Sequence, residues 1–170
     1  WATEKGLPRI EGHRQGAETV RDITTYCREI GIRYLTLYSF SVQNWQRPEA
    51  EVLGLMDLLE EYCRDQRDLL MRNEIRLSTI GRLDRLPPST RLALEELSAE
   101  TRGHQKMTLT LAVDYGAREE LLKAMVDLAM EIKDGKRHPN SLNESSLIEK
   151  LYTATLPDPD LVIRTSGELR

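Results

Sequence analysis

The run Ile32-Arg33-Tyr34-Leu35-Thr36-Leu37-Tyr38 is followed at once by Ser39-Phe40-Ser41-Val42-Gln43-Asn44-Trp45-Gln46-Arg47-Pro48. The first segment carries the β-branched and aromatic content of a strand, predicted over residues 32–38. The second reads as a polar loop, and Pro48 stands where a first helical turn tolerates proline. Over residues 49–72, Val52, Leu55, Met56, Leu59, Tyr62, Cys63, Leu69 and Leu70 form an apolar stripe opposite charged residues. That pattern predicts a helix about 35 Å long. Strand, loop and helix in this order are the repeating unit of an α/β fold, where polar loops at the carboxyl ends of strands collect ligand chemistry.

The same alternation continues in both directions. Upstream, Ala17, Val20, Ile23, Cys27 and Ile30 recur at helical spacing, predicting a helix over residues 14–30 stopped by Gly31. Gly6, Pro8 and Gly12 mark the segment before it as irregular. Downstream, strands are predicted over residues 74–80, 107–113 and 161–163. Helices are predicted over 89–99, 119–133 and 144–152, with an exposed loop over 134–143. A parallel sheet covered by helices on both faces follows, in one domain over residues 1–170.

Composition sets outer limits. The chain has 170 residues, 39% hydrophobic and 31% charged, with a net charge of −4. An acidic balance argues against broad nucleic-acid binding, which leaves a basic footprint. No apolar run approaches the ~20 residues of a membrane span, and no signal peptide opens the chain. Cys27 and Cys63 are isolated within helical patterns and read as reduced packing residues. His104 and His138 read as solvated surface. No Gly-rich phosphate loop of the GxGxxG or GxxxxGK type is present, which disfavours an unrelated nucleotide-binding α/β protein.

Within the central loop, Ser41, Asn44 and Arg47 bring a hydroxyl, an amide and a fixed cation close together, and Trp45 adds an amphipathic wall. The set suits an anion with an apolar tail. The same residue types also serve as turn formers, caps and solvated charges. Arg9 and His13 flank the start of the first predicted helix, whose free N–H groups favour anions, so the pair makes a candidate diphosphate grip. At the other end, Asp160-Leu-Val-Ile-Arg164-Thr-Ser-Gly-Glu168-Leu-Arg170 sets two arginines around Gly167. That is an arrangement for wrapping a diphosphate or, equally, a surface turn with a Glu–Arg pair.

Taken together, Phe-Ser-x-x-Asn-Trp-x-Arg-Pro, the Arg9 to Gly12-His13 segment and the Arg164 to Arg170 segment resemble the cis-prenyltransferases, the family of undecaprenyl diphosphate synthase. The resemblance runs from Trp1 to Arg170. Trp1-Ala2 is similar to the end of the family's Asp-Gly-Asn-Gly-Arg-Trp-Ala loop, and the chain reads as an internal fragment. The resemblance implies cis-condensation of isopentenyl diphosphate with an allylic diphosphate such as farnesyl diphosphate. It assigns Trp1, Arg9, His13 and Arg47 to the allylic diphosphate and Ser41, Val42, Gln43 and Trp45 to the loop lining the reacting end. Arg164 and Arg170 fall to the diphosphate of the incoming unit, and Asn44 to proton acceptance or to orienting a substrate oxygen. It also implies Mg2+, with no ligand in this chain and an aspartate expected upstream of Trp1. A hydrophobic tunnel is implied, with Ser39 and Met107 bearing on product length. So are a homodimer, a cytoplasmic location and transient contact with a membrane surface for product release.

Four positions depart from the family. Gln43 replaces a usual glutamate and Leu169 a common histidine, while Asp114 and Ala117 stand in a segment that is commonly Asn-Tyr-Gly-Gly-Arg. Asp114 reads first as a helix cap. Ala117 requires a backbone that a non-glycine residue accepts. The competing functional reading is a non-catalytic partner subunit of a heteromeric cis-prenyltransferase. Such subunits lose the Asn-Trp and arginine motifs that this chain keeps.

Overall fold

A computed structural model describes residues 1–165. Three strands, β1 (Tyr34–Ser41), β2 (Ile75–Ile80) and β3 (Met107–Tyr115), form one parallel sheet in the order β1-β3-β2. Parallel neighbours cannot be joined by a hairpin, so each crossover runs through a helix. These are α2 (Glu49–Arg72) between β1 and β2, and α3 (Pro88–Glu100) between β2 and β3. Helix α1 (Arg9–Glu29) precedes the sheet, and α4 (Ala117–Lys133) and α5 (Glu144–Ile148) follow it.

The chain divides into two compact units, Trp1–Glu120 and Leu121–Arg170. In the first, β3 is central and buried along nearly its whole length, pairing Leu109 with Leu35 and with Leu77. Leu109, Leu111 and Val113 meet Ile75 and Leu77 of β2, Met56 and Leu70 of α2, and Leu94 of α3 in one apolar core. In the second unit, Arg137 donates to Glu131 at 2.8 Å and also bonds Glu149, while Lys150 bonds Glu131. This ties the polar segment after α4 back to its own helix.

Several boundaries differ from the sequence reading. Helix α1 begins at Arg9, well before residue 14, because Gly12 does not break it. The bare Gly12 backbone lets Ala2 pack there, where an added Cβ would stand 3.2 Å from the Ala2 Cβ. Strand β1 starts and ends later than residues 32–38, so Ser39, Phe40 and Ser41 belong to it. Its register with β3 slips between Tyr38 and Phe40 and between Phe40 and Ser41, an irregularity that re-aims the strand end. Residues 161–163, expected to be a strand, pair with no strand among the described residues. Leu161, Val162 and Ile163 are 74–79% exposed. Apolar content makes a strand only where another strand takes up its backbone N–H and C=O groups. His104 is half-buried with Nδ1 3.1 Å from the Ile75 carbonyl oxygen, not solvated. Ala117 opens α4 in ordinary helical backbone, so it does not need a glycine.

Candidate functional site

The end of β1 delivers the chain into a tight 3-10 turn, Val42–Gln46, and then into α2. Ser41 is the N-cap of that turn, and its backbone N–H donates to Asn44 Oδ1 at 2.8 Å. The turn is closed by its own side chain. Pro48 precedes α2 with its carbonyl accepting from Glu51 N–H at 2.9 Å. Proline's fixed φ and missing N–H suit this entry. The consequence is that Arg47 and Glu51 lie one turn apart on the same side of the helix start.

Glu51 is the hub. Its Oε1 receives Arg47 Nη1 at 2.9 Å and lies 3.3 Å from His13 Nε2, while Oε2 receives Arg9 Nη1 at 3.4 Å. The Glu51 side chain is only 11% exposed. Desolvation pushes its pKa up, but the His13 hydrogen bond and the charges of Arg47 and Arg9 outweigh it and hold the carboxyl below its ordinary value. Helix α1 comes close enough for these contacts because Gly54, next along α2, has no side chain. A Cβ there would lie 2.9 Å from Ile10 Cδ1. Arg9 is the first residue of α1, but His13 lies one turn in, so His13 acts through its ring and not through the helix terminus. Sequence reasoning did not single out Glu51. Its one sequence signal is the four-residue spacing from Arg47, which is ordinary on any helix surface.

A second carboxylate holds the same turn by another route. Asp114, near the end of β3, is buried with a left-handed backbone, φ 46°. Its Oδ1 accepts from Trp45 Nε1 at 2.7 Å. Its Oδ2 faces Arg82 Nε at 3.3 Å and Arg85 Nη1 at 3.4 Å. The carboxylate is thus committed to tertiary partners, which corrects the expectation of a helix cap. The Trp45 ring packs edge-on to Phe40 with centroids 5.0 Å apart, and the Arg85 guanidinium lies 5.3 Å from the ring centre. Gly116 leaves room for Val42, whose Cγ2 would be 3.2 Å from a Cβ at that position.

The structure therefore brings Arg9, His13, Ser41, Val42, Asn44, Trp45 and Arg47 together around one turn. Gln43 is on it and exposed. Trp1 is half-exposed beneath Lys5, whose Nζ is 4.2 Å from its ring centre. Ser39 is exposed near the carboxyl end of β1, whereas Met107 is buried in the core at the amino end of β3. Arg164 is exposed in the second unit, and Arg170 lies outside the described residues. Among the described residues no group of three or more His, Cys, Asp or Glu side chains could hold a metal ion.

Comparison with known proteins shows the family of the chain. The profile of the prenyltransferase family described as "Putative undecaprenyl diphosphate synthase" matches residues 1–170. An isoprenyl transferase of Heliobacterium mobile is 42% identical over the whole chain, which spans 65% of that relative's length. A ditrans,polycis-undecaprenyl-diphosphate synthase of Micrococcus luteus, specific for (2E,6E)-farnesyl diphosphate, is 41% identical over the whole chain, which spans 68% of it. Lavandulyl diphosphate synthase from Lavandula x intermedia, solved in complex with dimethylallyl diphosphate, superposes with a TM-score of 0.95 at 31% identity. That match covers all of this chain and 74% of the other.

Proposed function

Since the chain belongs to the undecaprenyl diphosphate synthase family of prenyltransferases, we propose that it condenses isopentenyl diphosphate with an allylic diphosphate, such as farnesyl diphosphate, to extend a polyprenyl diphosphate in cis. The observation that carries this reading is the convergence of Arg9, His13 and Arg47 on one anionic group, the Glu51 carboxylate, within 3.4 Å. Three donors that meet on one carboxylate can meet on a diphosphate. A diphosphate offers more acceptor oxygens and more charge, and guanidinium groups bind it in bidentate fashion. A family relative that binds dimethylallyl diphosphate, itself an allylic diphosphate, supports the same ligand class.

In the reaction, the allylic carbon–oxygen bond breaks with its electron pair on the diphosphate. The isopentenyl double bond attacks that carbon, and a proton then leaves to set the new double bond. Arg9, His13 and Arg47 hold the departing diphosphate and stabilise the charge that develops on it. Ser41, Val42, Gln43 and Trp45 form the turn beside the reacting end. Asn44 Oδ1 is already engaged by the Ser41 N–H. We therefore assign Asn44 to orienting the substrate, with the departing diphosphate as proton acceptor. Arg164 and Arg170 are assigned to the incoming diphosphate on their sequence motif, and Trp1 to the allylic end on the same basis.

Residues 1–170 are read as one catalytic domain with a tunnel for the growing chain, Ser39 and Met107 bearing on its length. A homodimer, a cytoplasmic location and contact with a membrane surface during product release belong to the same proposal. No helix among the described residues is long and apolar enough to cross a membrane. Mg2+ is proposed as the cofactor on the family resemblance alone. The described residues offer no donor cluster for it, so no step above passes through the metal.

The test supplies the purified protein with farnesyl diphosphate, labelled isopentenyl diphosphate and Mg2+, with chelator in a parallel reaction, and sizes the extracted products. Label in a cis-polyprenyl diphosphate, lost with chelator, is the expected result. A folded protein that incorporates nothing overturns the reading in favour of the partner-subunit one.

A further inference from the structure

Asp114 is the most deeply committed ionisable group near the turn. Its side chain is 0% exposed, whereas the two arginines it faces are 33% and 42% exposed. Burying a carboxylate this completely is costly unless hydrogen bonds and opposite charges compensate. The compensation here comes from three side chains. The Trp45 indole N–H supplies a short bond to Oδ1, and Arg82 and Arg85 supply charge at Oδ2. Neither Oδ2 nor Arg82 Nε has a well-aligned hydrogen bond among the described residues. The arginines therefore act on this carboxylate mainly as charges, and the directed bond is the one to Trp45.

Backbone geometry reinforces this arrangement. The left-handed φ of 46° at Asp114 is uncommon for a residue with a side chain. Gly81, φ 110°, lets the end of β2 press against β3 at this point, and Arg82 N–H donates to the Asp114 carbonyl at 3.3 Å. Arg85 also covers the Trp45 ring that Asp114 holds by its edge. The Asp114 carboxylate and the Arg85 guanidinium thus fix Trp45 from its N–H and its face together.

We infer that Asp114 is a positioning residue for the Val42–Gln46 turn, acting through the Trp45 indole N–H to hold Asn44 and Arg47 in place for diphosphate chemistry. The proposal rests on the functional reading above for its kinetic consequence but not for its structural one. An asparagine has the same shape, but it has one acceptor oxygen. If that oxygen faces Trp45, its NH2 group faces the arginines, donor against donor. Asp114→Asn therefore keeps the volume while removing the charge and weakening the indole bond.

The experiment follows the Trp45 indole 1H–15N resonance, assigned by its loss in Trp45→Phe, together with kcat and KM in Asp114→Asn, Trp45→Phe and the double variant. In Asp114→Asn the resonance is expected to shift and its hydrogen to exchange faster. The rate kcat is expected to fall about tenfold, the kinetic equivalent of a lost charge-assisted hydrogen bond. Because both residues act through one contact, the double variant should be no slower than the slower single variant. A resonance unmoved in Asp114→Asn overturns the assignment whatever the activity, and so do single-variant losses that multiply in the double variant. Should the wild-type protein transfer no prenyl group, the functional reading fails, and the resonance alone still decides whether Asp114 holds Trp45.

Discussion

Glu51 and Asp114 each gather cationic side chains at the same short turn, yet they do so in different surroundings. Glu51 is 11% exposed, and its partners Arg9 and Arg47 are 72% and 37% exposed. Asp114 is 0% exposed and adds an indole N–H to its two arginines. An ion pair in contact with water is worth little, because water and salt compete for both partners. The cations around Glu51 can therefore change partner at small cost, as the proposed diphosphate site requires. A carboxylate closed off from water, as Asp114 is, cannot give up its partners so cheaply, since an uncompensated buried charge would be left behind. One carboxylate belongs to an exchangeable site and the other to its foundation.

The sharpest way to break the foundation lies in the backbone beside it. Gly81→Ala would place a Cβ 2.0 Å from the Val113 carbonyl oxygen, at a φ of 110°. No side chain can move to relieve a clash with backbone. The ends of β2 and β3 must part, which releases Arg82 from Asp114. Urea unfolding should show a loss of about 3–5 kcal/mol, in the range of strained backbone positions with steric conflict. Gly54→Ala serves as the contrast on the Glu51 side. There the obstructing atom is Ile10 Cδ1, the end of a flexible side chain, so a much smaller loss is expected.

On the exchangeable side, activity should suffer and stability should not. Arg47→Ala removes the nearest of the three donors to Glu51, 2.9 Å away. We expect kcat/KM for labelled isopentenyl diphosphate to fall about a hundredfold, roughly the loss of a bidentate guanidinium contact to phosphate. The unfolding free energy should stay within about 1 kcal/mol of wild type, since the pair is partly solvated. A variant that loses stability and activity in proportion would mean that Arg47 belongs to the foundation, and the contrast between the two carboxylates would collapse.

Much of the fold, and less of the site, was legible in the sequence. Helix α2 falls on the expected residues 49–72 because Pro48 fixes its start and a long apolar stripe fixes its face. Elements whose limits depend on distant partners were read less well. Gly12 reads as a breaker in sequence, whereas in the fold Ala2 packs against it; residues 161–163 read as a strand, although composition cannot supply a neighbour. The turn residues were found because they lie close together in sequence. Glu51 carries no such mark, and Asp114 reads as a helix cap, because their partners lie as many as 69 residues away in sequence. A carboxylate on a helix, or one after a strand, carries no local mark of what it will meet.

The Glu51 cluster also has an acid signature. Its carboxyl is held below the ordinary value of 4.5 in the folded protein. The unfolded chain therefore takes up a proton first as pH falls, and stability should be full above 4.5 and decline as pH drops through the folded value. Glu51→Gln should cost about 1 kcal/mol at neutral pH, as for partly exposed pairs. It should also flatten part of that acid decline in urea titrations at successive pH values. An acid decline of unchanged slope in Glu51→Gln would assign it to other carboxylates, Glu131 with its Lys150 and Arg137 partners foremost.

The smallest expected effect tests whether α2 is a fixed post from which Glu51 exchanges its partners. Cys63 lies well along that helix from Glu51, 5% exposed in the core. Burial, with Glu60 nearby, pushes its thiol up to about 12. At pH 8 the thiolate fraction is then on the order of 10⁻⁴, and the thiolate is the reactive form. Disulfide reagents should label Cys63 only as the helix unfolds, whereas half-buried Cys27 should react sooner. If partner exchange at Glu51 leaves the post in place, inorganic diphosphate or Arg47→Ala should alter the Cys63 labelling rate by less than about twofold, a free-energy change within about 0.4 kcal/mol. A larger acceleration would mean that opening the cluster loosens α2 itself. The exchangeable site and the packed core would then be one cooperative unit, and Glu51 would share the structural duty assigned here to Asp114.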